Sequence, residues 1–541
     1  MSTLSRPKAA DINKENAVLF SKVRTTIETA FYRNNVERIT SLKQAYNLAK
    51  NTPGTIVTDL PVYRAEDLDL DKDAKVLLFN DGVITGRQAK VRRLVNRENL
   101  NKYANHLKRA IFNSRKKKMY HATVYIGLHE DFMVKAHILV PEGFENSLYS
   151  WMLNFQHENP ITEEMYQRSK VIEEGDIFLY TDPDEFIPGF ESGISIFDQA
   201  NNCGALLGLR YFGEFKKATL TMGWSIASRQ NYTACHGGQK RFNLPNNKTY
   251  IAGVFGLSGS GKSTITHSKH NGKFDITVLH DDAFIISNEN GSSISMEPSY
   301  FDKVQDYPTC SPDNKYLLTM QNAGATIDDL GRVVPVTEDI RNGNGRALKS
   351  KFWTKHRAYK FDNKIDAIFW IMKDNSMPPI LKINSSVLAS TLGATLATKR
   401  SSAEEGADAS KLVIEPYANP FRLYPLRNDY LKFKDLFESH DVDCYVLNTG
   451  AFLNKNITKE VTLGIIDQIV NSDIQFEKFN GIDVIEFAPI KNYTPDFNDP
   501  TYKELVKERL ETRIEFIQHL YNTDNLPIEA KESIQKVIDQ L

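Results

Sequence analysis

The sequence predicts a mixed α/β protein of two large domains, with a glycine loop between strand and helix in the second. Three observations predict it. Apolar runs of strand length recur from residue 75 onward, separated by polar loops and helical stretches. The polar segment GGQKRFNLPNNK (237–248) interrupts them and places a boundary near 240, giving domains 1–240 and 241–541. Directly after it, the apolar run TYIAGVF (249–255) leads into Gly256-Leu-Ser-Gly-Ser-Gly-Lys-Ser263, and helix-forming residues follow.

Residues 12–50 carry apolar side chains at helical spacing, and Pro53-Gly54 ends that pattern. The runs KVLLFN (75–80), HATVYIGL (121–128), VKAHILV (134–140), GDIFLYT (175–181) and GISIF (193–197) read as strands. In the second half ITVLH (276–280), AIFWIM (367–372) and CYVLN (444–448) alternate with helices, the α/β pattern. The small polar stretch SAEEGADAS (402–410) reads as a mobile loop, and YKELVKERLETRIEFIQHLYN (502–522) as a long charged amphipathic helix.

Composition narrows the functional classes. Of 541 residues, 67 are Lys or Arg and 68 Asp or Glu, a formal charge of −1 that argues against attraction of the whole chain to nucleic acid or anionic lipid. The cluster Arg115-Lys116-Lys117-Lys118 lacks interleaved aromatics and reads as a solvated face, so no nucleic-acid partner is expected. Four cysteines (Cys203, Cys235, Cys310, Cys444), far apart and without a CxxC pair, exclude a disulfide framework and suit a reducing compartment. No secretory signal is recognisable, and no run reaches the roughly 18 apolar residues of a membrane span, so a cytoplasmic protein without a membrane partner is expected.

The segment Gly256–Ser263 fits G-x-x-x-x-G-K-[ST], and each part has a task. Glycines turn backbone N–H groups inward around phosphate oxygens, and the helix N-terminus adds positive potential. Nucleotide contacts are therefore expected from Gly256, Leu257, Ser258, Gly259, Ser260, Gly261, Lys262, Ser263 and Thr264, with Lys262 on the outer phosphates and the Ser263 hydroxyl on Mg²⁺. The strand ITVLH then delivers Asp281 and Asp282, carboxylates for a metal, only a short distance after Lys262.

At this point the chain resembles the ATP-dependent phosphoenolpyruvate carboxykinases. Thr85-Gly86-Arg87 stands where that family has T-G-R, and Tyr211-Phe-Gly213-Glu214-Phe-Lys216-Lys217 matches Y-x-G-E-x-K-K. His236 follows at the family's distance, then the G-L-S-G-x-G-K loop, the paired Asp, Glu297 to Lys303 as E-x-x-x-x-x-K, Glu338-Asp-Ile-Arg341 near E-N-T-R, and Val446-Leu-Asn448-Thr449-Gly450 near V-N-T-G. The GTP-dependent relatives carry a cysteine in the phosphate loop; this loop has none, which favours ATP. Some segments depart from the family. Its D-D-E-H-G-W becomes Asp281-Asp282-Ala283-Phe284-Ile285, R-V-S-Y-P becomes Arg341-Asn-Gly-Asn-Gly, and the T-E-R-G lid is only echoed by residues 401–406.

The resemblance implies a two-domain fold with the site in the cleft, and the reversible reaction oxaloacetate + ATP ⇌ phosphoenolpyruvate + ADP + CO₂. It implies Mn²⁺ held by Lys217, His236 and Asp282 beside the enolate and the γ-phosphate, with Mg²⁺ on the nucleotide. An amine ligates only when neutral, so cations such as Lys216 and Arg87 are expected to depress Lys217. Arg87 would anchor a substrate carboxylate, Tyr211 and Ser258 would contact the oxaloacetate end, and Arg341, Lys262 and Lys303 would neutralise the transferring phosphoryl group. The loop 401–410 would be the lid that keeps water from the enolate. The departures leave two alternatives open: a phosphotransferase of the same fold with another acceptor, and a weakened nucleotide-binding regulator.

Overall fold

The computed structural model describes residues 21–80, 91–257, 259–304, 308–309, 311–337, 345–399, 411–520 and 524–541. Arg87, Ser258, Arg341 and the lid segment 401–410 lie outside them. The chain forms two compact units. Described residues within 1–226 and 296–355 build the first, and those within 227–295, 356–402 and 406–541 the second.

In the first unit, one sheet runs in the order Val36–Arg38, Met119–His129, Phe132–Pro141, Ile177–Asp182, Cys203–Leu207, Ile194–Asp198, Arg92–Leu94. Met119–His129, Phe132–Pro141, Ile177–Asp182 and Ile194–Asp198 contain apolar runs read from the sequence, whereas Cys203–Leu207 between them was not read as a strand; all are almost wholly buried, as near-continuous apolar strands must be. The 12–50 segment is not continuously helical. Helices Lys22–Ala30 and Leu42–Ala49 flank the strand Val36–Arg38, which pairs in parallel with Met119–His121. A second sheet orders Tyr300–Lys303, Arg346–Lys349, Leu317–Gln321, Lys75–Phe79 and Thr55–Pro61. This pairing returns 296–355 to the first unit, so the chain does not divide at a single point near 240. Backbone groups at the edge of Lys75–Phe79 find their partners in Thr319–Gln321.

The second unit is built on a sheet ordered Asp275–His280, Gly238–Asn243, Thr249–Phe255, Ala367–Met372, Asp443–Asn448, Ile380–Ile383, Ile482–Phe487, Glu477–Phe479. Thr249–Phe255, Ala367–Met372 and Asp443–Asn448 are mutually parallel. Asp275–His280 reaches the same direction through two antiparallel steps across Gly238–Asn243. Four strands therefore end on one edge, where α/β proteins of this kind place their ligands.

An aromatic cluster supports that edge from below. The Trp370 ring centroid lies 5.0 Å from Phe255, 5.1 Å from Phe433 and 5.6 Å from Tyr417, and the Trp370 indole N–H donates to the Ala389 carbonyl at 3.0 Å. Such pairs contribute about 0.5–1.5 kcal/mol each beyond area burial. Among the described residues, no helix is long and apolar enough to cross a membrane.

Candidate active site

The strand Thr249–Phe255 ends in the turn that starts at Gly256, and the helix Lys262–His267 leaves it. Gly259 (φ 81°) and Gly261 (φ 98°) occupy the left-handed region, which a side chain would strain; this is the physical reason for glycine at both. Neighbouring strand ends hold the turn. Thr449 Oγ1 donates to the Ser260 carbonyl at 2.8 Å, and Lys373 Nζ donates to the Gly259 carbonyl at 2.9 Å. The preceding Asn448 is fastened by its Nδ2, which lies 2.8 Å from the Asp374 carbonyl and 2.7 Å from that of Met377, and Thr449 N donates to the Met372 carbonyl at 3.0 Å. Ser260 is buried, and its hydroxyl has no hydrogen-bond partner among the described residues. Ser263 and Thr264 are exposed.

The parallel strand ends bring the carboxylates to this loop. Asp282 Oδ1 lies 3.8 Å from Lys262 Nζ and 3.0 Å from His236 Nε2. Strand register explains the second contact: Tyr232–His236 pairs antiparallel with Ala283–Ser287, and His236 sits opposite Ala283, one residue past Asp282. The His236 Nδ1–H donates to the Ala418 carbonyl at 2.5 Å. That commits Nδ1 to the backbone and leaves Nε2 facing Asp282. Tyr417 and Ala418 both take positive φ (52°), an uncommon backbone for side-chain-bearing residues. Tyr417 is fastened there by stacking on Phe433 at 4.6 Å and by its hydroxyl, which lies 2.9 Å from Ser390 Oγ.

A histidine whose other nitrogen is committed to a carbonyl, beside a carboxylate, is the donor chemistry of a divalent cation site, so His236 and Asp282 fit the implied metal. Asp281 faces elsewhere. It is buried and lies 3.1 Å from His267 Nε2. Burial alone would raise its pKa; the hydrogen bond and charge of His267 outweigh that and hold it below the usual carboxylate range.

The first unit carries the other predicted residues. Tyr211 is buried just before the helix Phe212–Arg229. The Gln321 side chain clamps the backbone on both sides of it, accepting from Phe212 N at 2.9 Å and donating to the Arg210 carbonyl at 3.0 Å. Lys217 lies half-buried on that helix, its ammonium 5.8 Å from the Trp224 ring centroid. Lys216 is fully buried and 3.0 Å from Glu297, so the two family segments that carry them are joined by an ion pair. Lys303 ends the strand Tyr300–Lys303, opposite Arg346. In the basic cluster, Lys118 pairs with Glu37 at the surface, while Lys117 pairs with the fully buried Asp182, both at 2.7 Å.

Sequence reasoning missed Lys373 and the Ala418 carbonyl. A charge placed immediately after a fully buried parallel strand was the available sign for Lys373. A backbone acceptor leaves no such sign.

Asp429 is fully buried near Cys235, with Arg422 and Tyr424 as polar neighbours. Burial, only partly offset by the Arg422 charge and then by Tyr424, pushes its pKa up to about 7. An unfolded Asp titrates near about 3.9. The stability contributed by the neutral form is thus fully present below about pH 4 and lost as pH rises through about 7. Asp429→Asn is expected to raise the unfolding temperature at pH 8, with the gain shrinking toward pH 4; thermal denaturation across that range checks it.

A glycine turn at the end of a parallel strand, with a lysine and a strand-borne aspartate facing each other beside it, is the arrangement of enzymes that bind nucleotide phosphates. Within that class the chain belongs to the phosphoenolpyruvate carboxykinase family, whose model matches residues 64–494. These are enzymes of ATP-dependent conversion of oxaloacetate to phosphoenolpyruvate. The phosphoenolpyruvate carboxykinase (ATP) of Aeropyrum pernix is 23% identical over 351 residues, which cover 62% of this chain and 71% of the relative.

Proposed function

We propose that this chain decarboxylates oxaloacetate and phosphorylates the resulting enolate with ATP, releasing phosphoenolpyruvate, ADP and CO₂, and that it runs reversibly. The observation that carries this reading is the convergence of His236 Nε2 (3.0 Å) and Lys262 Nζ (3.8 Å) on one oxygen of Asp282, beside the glycine turn. Loss of CO₂ breaks the bond between the β-carboxylate and the carbon α to the ketone; the bonding pair forms an enolate, whose oxygen takes the γ-phosphoryl group as its bond to the β-phosphate oxygen breaks and ADP leaves.

His236 and Asp282 would hold a divalent cation, Mn²⁺ in the resemblance. Lys217, the remaining ligand that resemblance implies, is carried on the first unit's helix. When bound, the cation supplies positive charge against the negative charge of enolate and phosphate. Everything else falls to the protein's own groups. Ala418 fixes the His236 ring, Lys262 neutralises the outer phosphates, and Ser263 would reach the nucleotide's Mg²⁺. Gly256–Thr264 would cradle the phosphates. Arg87, Tyr211 and Ser258 would orient the oxaloacetate end, and Lys303 and Arg341 would offset charge on the transferring group. In this reading the first unit binds substrate and the second binds nucleotide.

One observation favours a second reading. Ala283 and Phe284, which replace a carboxylate and an imidazole of the family, are fully buried in the strand Ala283–Ser287, so the positions after the acid pair present no polar side chain. A phosphotransferase with another acceptor would tolerate that change. The test is oxaloacetate-dependent phosphoenolpyruvate formation with ATP and Mn²⁺. Product is expected; none, alongside intact ATP binding, overturns the carboxykinase reading.

A further inference from the structure

We propose that Lys240, held by His270 and Asp467, is a positioning residue of the nucleotide site: it clamps the carboxyl end of the helix Lys262–His267 and so fixes Lys262 and Ser263 against the glycine turn. The inference deepens the proposed function and rests on its assignment of ATP to this loop.

The helix has six residues, little more than one and a half turns, too short to hold its own geometry in water. It ends at Ser268 in an extended conformation, without the left-handed cap that usually satisfies terminal carbonyls. Lys240 supplies what is missing. It is fully buried on the strand Gly238–Asn243, and its Nζ donates to the Ile265 carbonyl at 2.7 Å and the Ser268 carbonyl at 3.1 Å. A cation there also complements the negative end of the helix dipole.

The third N–H goes to His270 Nε2 at 2.8 Å. His270 is buried, and its Nδ1–H donates to Asp467 Oδ1, while Lys273 Nζ lies 2.7 Å from Asp467 Oδ2. Three acceptors surround three ammonium hydrogens. A neutral amine would turn its lone pair toward one of those acceptors, so the geometry selects the charged form. Burial pushes Lys240 down to about 7, and burial followed by the Lys240 charge pushes His270 down to about 4, which keeps the imidazole an acceptor at Nε2.

A lysine whose only role was to fill this space would be a poor choice, since a buried cation loses its hydration and an apolar residue of similar volume does not. A second contact binds the same strand to the same helix. A Cβ on Gly238 would run into Thr266 Oγ1, and that hydroxyl donates to the Lys262 carbonyl at 2.9 Å. Strand and helix thus touch closely at Gly238 and are tied at Lys240, and the lysine that faces Asp282 sits at the other end of the tied element.

The test compares Lys240→Met, Lys240→Arg and the parent, in the full chain, by calorimetric ATP binding and steady-state kinetics. Lys240→Met is expected to weaken ATP binding and raise the KM for ATP about tenfold, with the KM for oxaloacetate within about twofold of the parent. Lys240→Arg is expected to recover most of the loss. Where the Met variant does not fold, Lys240→Gln, which keeps two N–H donors without charge, is read in its place. Unchanged ATP affinity in a folded uncharged variant overturns the inference, as does an equal loss for both substrates. A parent that binds ATP but forms no phosphoenolpyruvate defeats the acceptor assignment alone, because ATP binding is read without oxaloacetate.

Discussion

Asp282→Asn is expected to lower phosphoenolpyruvate formation by about 10³-fold while the chain still folds and binds ATP. One carboxylate oxygen of Asp282 lies near both His236 and Lys262, so the substitution keeps the shape and removes the charge that both face. Losing one preorganised electrostatic group of this kind costs on the order of 10²–10³ in kcat. The neighbouring acid provides the contrast. Asp281→Asn is expected to leave turnover within about tenfold of the parent, because Asp281 is committed to His267. Its pKa is depressed in the fold, so its pairing stabilises above the ordinary carboxylate range and is lost as pH falls through the folded value. The Asp281→Asn variant should therefore lose stability at neutral pH and differ less from the parent in acid. Kinetics and thermal denaturation on both variants check the pair. Equal loss of turnover would overturn the assignment of separate roles.

How much of this was legible beforehand depended on range. Ala367–Met372 and Asp443–Asn448 are buried parallel strands, and an apolar run of that length is visible in one dimension. Val36–Arg38 is three half-buried or exposed residues in a stretch with helical spacing; nothing so short shows a period of two. The return of 296–355 to the first unit depends on Thr319 finding Leu77, a pairing that composition does not record. His236 and Asp282 were readable only as spaced motif residues, since it is the register of two antiparallel strands that brings them together. Why His236 presents Nε2 was not readable at all: the answer is a carbonyl on Ala418, set by left-handed backbone at two residues that are not glycine. The same holds for Lys240, an ordinary polar residue of a supposed linker in one dimension and a buried cation in three.

Glu297→Gln is expected to lower the unfolding temperature by on the order of 10 °C. Lys216 and Glu297 are both fully buried, with nitrogen and oxygen 3.0 Å apart, and the second Glu297 oxygen accepts from Asn154 Nδ2 at 2.6 Å. Glutamine fills the same volume and keeps a bond to Asn154, so packing is spared and the lost quantity is charge. Removing one member of a buried pair leaves the other ion unhydrated and uncompensated, which costs about 3–5 kcal/mol, whereas replacing both by apolar residues is often neutral. The double variant Lys216→Met, Glu297→Leu should therefore be more stable than Glu297→Gln alone. Thermal and denaturant unfolding of the set measures this, and a double variant less stable than the single one would mean that the pair contributes net stability. Activity separates the remaining possibility. Lys216 immediately precedes Lys217 on the helix Phe212–Arg229, so a pair that serves only stability leaves the turnover of the refolded double variant near the parent's. A pair that also aims Lys217 lowers turnover even where folding is restored.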